Sequence, residues 1–72
     1  MIFYESPHRI LKTLRIIENV EKNVSTVIVR ELSKMYEEIL RGKISSLISL
    51  FENNPDKAKG EITVVMSKDG EG

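Results

Sequence analysis

Three short runs, "IFY" after the first residue, "TVIV" in the middle and "ITVV" near the end, constrain this chain more than anything else in it. Each is too short for a helix, is rich in residues that favour extended backbone, and carries apolar side chains on both faces. Runs of this kind are buried strands, so the chain must build a sheet and lay helices against it. With 72 residues it has room for one small domain, and such a domain buries only about 60% of the surface its unfolded chain exposes. No cysteine is present to supply a disulfide or a thiolate metal site, which fits a reducing compartment.

Between the first two runs, Ile10, Leu11, Leu14 and Ile17 share one face of a helical wheel, opposite His8, Lys12, Arg15 and Asn19. Later, "SSLISLFENNP" predicts a short helix with serine caps, a stripe of Leu47, Leu50 and Phe51, and a stop at Asn53, Asn54 and Pro55. "DKAK" is a charged loop, and Gly60 opens the last strand. "SKMYEEILRG" is ambiguous. Ser33 could cap a helix from Lys34 to Arg41 stopped by Gly42, which propensity favours, or Glu37 to Lys43 could be a strand with neither face cleanly apolar. With the strand, the order is β-α-β-β-α-β, an α+β fold with two helices on a mixed four-stranded sheet. With the helix, it is β-α-β-α-α-β. Residues 1–66 form the domain and the polar 67–72 a frayed tail. A chain that opens directly in a strand is expected to be a piece of a longer protein.

Eleven basic residues balance eleven acidic ones, so any nucleic-acid affinity must come from a local patch. No apolar run approaches the ~20 residues of a membrane span, and the start lacks a signal-peptide pattern. A soluble, cytoplasmic protein is expected, without membrane partners.

The densest chemistry lies in "FYESPHR". Ser6 is the expected N-cap of the first helix and Pro7 its first residue, where no N–H is needed. Ending a strand and starting a helix does not require Glu5, His8 and Arg9 together. Glu5 is explained equally well as a negative charge at a helix N-terminus, and His8 as an exposed histidine. Arg9 could fork onto Glu5 or Glu31, or onto a phosphate. Arg30 and Glu31 are chain neighbours in a strand, so at most one of them faces any given surface.

Taken together, "FYESPHR", "VRELSKMYEEILRGKI" and "KGEITVVM" resemble the C-terminal half of the tetrapyrrole methylase-like, class III methyltransferases, in their ribosomal RNA branch. The resemblance runs from Ile2 to about Met66, and its weight lies in the combination of the three blocks. The family usually has Thr and Lys where this chain has Ser33 and Met35, and its Gly-rich cofactor loop belongs to an N-terminal half absent from these residues.

The resemblance implies a strand for "EEILRGK" and S-adenosylmethionine as cofactor, held in a cleft between two α/β domains of a protein that commonly forms homodimers. It implies that Tyr4, Val29, Arg30 and the backbone of Gly60, Glu61 and Ile62 line the C-terminal wall of that cleft. The implied reaction is 2'-O-methylation of a cytidine ribose in small-subunit ribosomal RNA, which needs no metal. Glu5 is the first choice to bind or deprotonate the hydroxyl, with His8 the second. Arg9, Lys12 and Arg15 are the expected phosphate contacts, although a solvated helix face also accounts for the last two.

Two other functions fit parts of the chain. A tetrapyrrole substrate would keep the fold, but that branch typically has a methionine-containing motif at the "ESPHR" joint. A free-standing RNA recognition motif shares the element order but needs stacking aromatics on its central strands.

Overall fold

The computed structural model describes residues 1–21 and 24–68. The elements are β1 (Ile2–Glu5), α1 (Ile10–Val20), β2 (Val24–Ser33), β3 (Tyr36–Lys43), α2 (Ile44–Asn53), a 3₁₀ turn (Pro55–Lys57) and β4 (Glu61–Lys68). The α+β order β-α-β-β-α-β therefore holds, and residues 36–43 are a strand. Pairing decides that segment against its helical propensity. Ser33 stands opposite Tyr36 across a tight turn in which the Ser33 Oγ accepts the Met35 N–H at 3.2 Å. From there β3 follows β2 residue for residue from Glu37 to Lys43, so its backbone groups are satisfied by the ladder.

The strand order is β1-β4-β2-β3 and every neighbouring pair is antiparallel. This corrects the expectation of a mixed sheet. β1 and β2 do run the same way, joined through α1, but β4 inserts between them and runs against both. β4 also continues through Lys68, so the domain extends past residue 66. The rest of the expected tail, 69–72, lies outside the described residues.

Both helices cover one face of the sheet. Ile10 and Leu14 from α1 and Ile44, Leu47, Ile48 and Phe51 from α2 pack onto Val24, Ile28, Ile62, Val64 and Met66. The stripe read for α1 is thus the core stripe, with Leu11 and Ile17 partly buried at its margins. Among the described residues no helix covers the other face. Ile2, Tyr4 and Ile39 are exposed there, so β1 is an edge strand covered on one side and not a buried one.

Two helix starts differ from expectation. Ser6 Oγ does accept the His8 N–H, at 3.1 Å, but it caps a single turn over residues 6–9, closed by the Arg9 N–H on the Ser6 carbonyl. α1 proper begins at Ile10 with Arg9 as N-cap and no side-chain cap. α2 likewise starts on Lys43, and Ser45 and Ser46 lie inside it, exposed.

The same topology removes the RNA recognition motif. Phe3, Tyr4 and Tyr36 belong to the edge strands β1 and β3, whereas the central β4 and β2 carry no aromatic residue.

Candidate functional site

Strand alternation sorts the residues at the strand ends onto two faces. In register, Tyr4 pairs with Thr63, Thr63 with Val29 and Val29 with Ile39, all on the open face. One row further, Glu61 stands opposite Glu31, and Glu31 opposite Glu37. Tyr4, Val29, Glu31, Glu37, Glu61 and Thr63 line a hollow of about 340 Å³. Three carboxylates side by side across neighbouring strands repel one another, an arrangement with no evident benefit to folding. Among the described residues no group of His, Asp and Glu converges closely enough to hold a metal ion.

Three of the residues expected in a cofactor wall, Tyr4, Val29 and Glu61, therefore meet at one hollow. The Tyr4 side chain is 84% exposed and presents its ring to solvent. Ile62 is buried on the helix face, leaving only its backbone for such a wall. Gly60 approaches β2 closely: its φ is +81°, and a Cβ there would lie 2.3 Å from the Glu31 carbonyl oxygen. Only glycine fits that backbone.

Arg30 points the other way. It is buried on the helix side, with Nε and Nη2 donating to Glu38 Oε1 at 3.1 and 2.7 Å and Nη1 donating to the Lys57 carbonyl at 2.9 Å. Its side chain is thus withdrawn from the open face, and Glu31 is the member of the pair that reaches the hollow. Arg30, followed by Lys57, holds the Glu38 carboxyl below its ordinary range.

At the joint, Glu5 also lies on the helix side, since it pairs with the inward-facing Ile62. Its Oε2 accepts the Thr13 hydroxyl at 2.6 Å and its Oε1 accepts the Ser6 N–H at 2.8 Å. These two bonds, with Thr13 contributing most and the Arg9 charge adding to them, lower its pKa. A carboxylate stabilised in this way is a good hydrogen-bond acceptor and a weak proton acceptor. His8 and Arg9 are exposed on the turn beside it, and Lys12 is exposed on α1. Arg15 pairs with Glu52 of α2 across the helix layer.

Sequence reasoning overlooked Thr13, Glu37 and Thr63 at these places, and left open which of Arg30 and Glu31 faces the hollow. Period-two alternation would have found Thr63 from Glu61 and Glu31 from Val29. Nothing in the sequence pairs Thr13 with Glu5 or Glu37 with Glu31.

Fold and site together define an α+β domain whose sheet is covered on one face and open on the other, with a carboxylate-rimmed hollow at one end of the open face. No family model matches the chain. It is 47% identical over 68 residues to ribosomal RNA small subunit methyltransferase I of Hydrogenobaculum sp. (strain Y04AAS1), covering 94% of this chain and 29% of that protein. The protein of the same name from Thermotoga maritima is 46% identical, with 93% and 29% covered. The one from Bacillus subtilis is 39% identical, with 92% and 22% covered. The chain thus spans less than a third of the length of these relatives, and it matches the C-terminal part of ribosomal RNA small subunit methyltransferase I.

Proposed function

We propose that this chain is the C-terminal part of an S-adenosylmethionine-dependent methyltransferase that modifies a cytidine ribose 2'-hydroxyl of small-subunit ribosomal RNA. The observation that carries this reading is the match over more than nine-tenths of the chain to proteins bearing that ribosomal RNA methyltransferase name. The hollow on the open face is the chain's wall of the cofactor cleft, and an N-terminal domain supplies the opposite wall. The whole protein works in the cytoplasm as a homodimer.

The hollow suits the cofactor chemically. Carboxylates at Glu31, Glu37 and Glu61 complement a sulfonium and an ammonium and accept from ribose hydroxyls, and the Tyr4 ring offers a stacking face. When bound, S-adenosylmethionine supplies an electrophilic methyl group; the chain's own task is to position and deprotonate the hydroxyl. Glu5, held ionised by Thr13 and Ser6, accepts a hydrogen bond and orients. His8, exposed on the adjacent turn, takes the proton. Arg9 and Lys12 hold RNA phosphates, joined by Arg15 when it leaves Glu52.

The test is methylation of small ribosomal subunits by the full-length enzyme with labelled S-adenosylmethionine. Label recovered as alkali-resistant 2'-O-methylcytidine is the expected result. Label on a base, or none in the ribosomal RNA, overturns the proposal.

A further inference from the structure

Arg30 is the most deeply buried charged residue among those described, at 6% exposure, and it spends its donors on two segments at once. One is β3, through Glu38; the other is the 3₁₀ turn, through the Lys57 carbonyl. Lys57 is held a second time, because its Nζ reaches Glu38 Oε2 at 3.1 Å and Oε1 at 3.3 Å. Three residues further on, the chain presses Gly60 against the Glu31 carbonyl, on the residue next to Arg30. The connection between α2 and β4 is thereby held to β2 at its middle, Lys57, and at its far end, Gly60.

We propose that Arg30 is a positioning residue: through Glu38 and Lys57 it clamps the turn that delivers Gly60 and Glu61, and so sets the height of that rim of the hollow. The inference rests on the cofactor wall proposed above. The choice of arginine supports it. An ion cluster with a buried arginine and partly exposed partners gives little net stability, and apolar side chains of similar volume often replace buried ion pairs without loss. Its contribution is directional, because a planar guanidinium fixes two partners through three hydrogen bonds in one geometry, which neither lysine nor methionine reproduces.

The experiment uses the full-length enzyme and three readouts: melting temperature, calorimetric Kd for S-adenosylmethionine, and KM for small ribosomal subunits. Arg30→Met is expected to raise the S-adenosylmethionine Kd about tenfold, with the KM for ribosomal subunits unchanged. Arg30→Lys should recover part of the loss, whereas Lys57→Ala, which keeps the carbonyl contact, should cost at most about threefold. Should Arg30→Met fail to fold, Glu38→Gln loosens the same clamp from its more exposed side, with an expected loss of severalfold. Thr63→Arg, which fills the hollow without touching the clamp, tests the wall itself. An unchanged Kd in the Arg30 and Glu38 variants while Thr63→Arg weakens binding overturns the clamp alone. An unchanged Kd in Thr63→Arg as well overturns the wall and the clamp with it.

Discussion

Replacing Gly60 by alanine should destabilise the domain severely, for two separable reasons. A φ of +81° is left-handed backbone, which costs an L-residue about 1–2 kcal/mol. The added Cβ would also sit 2.3 Å from the Glu31 carbonyl oxygen and 3.1 Å from its carbon. Neither atom gives way easily, because Glu31 is held in the ladder opposite both Glu37 and Glu61. Overpacking of this sort costs about 1–3 kcal/mol, so the sum is about 2–5 kcal/mol. At about 4–8 °C per kcal/mol for a domain this small, the melting temperature should fall by at least about 8 °C. Thermal and urea unfolding of the chain followed by circular dichroism measure it. D-alanine at the same position, introduced by chemical synthesis, accepts the positive φ and points its methyl away from Glu31, so it should be close to neutral. Gly60→Ala within about 0.5 kcal/mol of the parent, or D-alanine as harmful as L-alanine, would refute the reasoning.

Thr26 Oγ1 is buried without a hydrogen-bond partner among the described residues; Thr26→Val should therefore stabilise the chain by about 1 kcal/mol, read as a higher urea midpoint at unchanged slope. The depressed pKa of Glu5 means that its bonds stabilise the fold above its ordinary value of 4.5 and lose that effect as pH falls below it. Glu5→Gln should accordingly lower the melting temperature at neutral pH, and the gap to the parent should close on acidification. A gap independent of pH would show that the carboxylate charge is irrelevant. In the full-length enzyme, Arg9→Ala with Lys12→Ala should flatten the salt dependence of RNA binding by roughly 0.7–0.9 in log–log slope for each phosphate no longer neutralised, leaving S-adenosylmethionine affinity unchanged.

Local periodicity made part of this architecture legible. The stripe of Ile10, Leu14 and Ile17 had one consistent reading, as did the apolar runs of β2 and β4, because a repeat of 3.6 or 2 is a property of neighbours in sequence. Decisions that rest on partners far along the chain were hidden. β3 carries helix formers and is a strand because β2 offers it a ladder. Ser6 and Pro7 have the signature of a helix start, yet α1 begins three residues after Pro7, beyond a turn that Glu5 and Ser6 stabilise through backbone N–H groups. At the site, "RE" announced that one side chain would face the hollow without saying which. The register opposite Ile62 turned Arg30 inward and left Glu31 outside.

The position of β4 bears on how the domain is made. It is the last of the four strands to be synthesised, yet it is the sole partner of β1 and one of two partners of β2. Ile2 and Val65, which stand opposite each other, are synthesised roughly 3–12 s apart at typical elongation rates. During that interval Ile2, Phe3 and Tyr4 have no strand to join, and α1, the β2–β3 hairpin and α2 are all made before β4 is. The nascent domain must then admit its central strand into a gap between two elements it has kept apart. Its folding on the ribosome is therefore a closing step that waits for β4, and the exposed first strand is the segment a holding chaperone would meet.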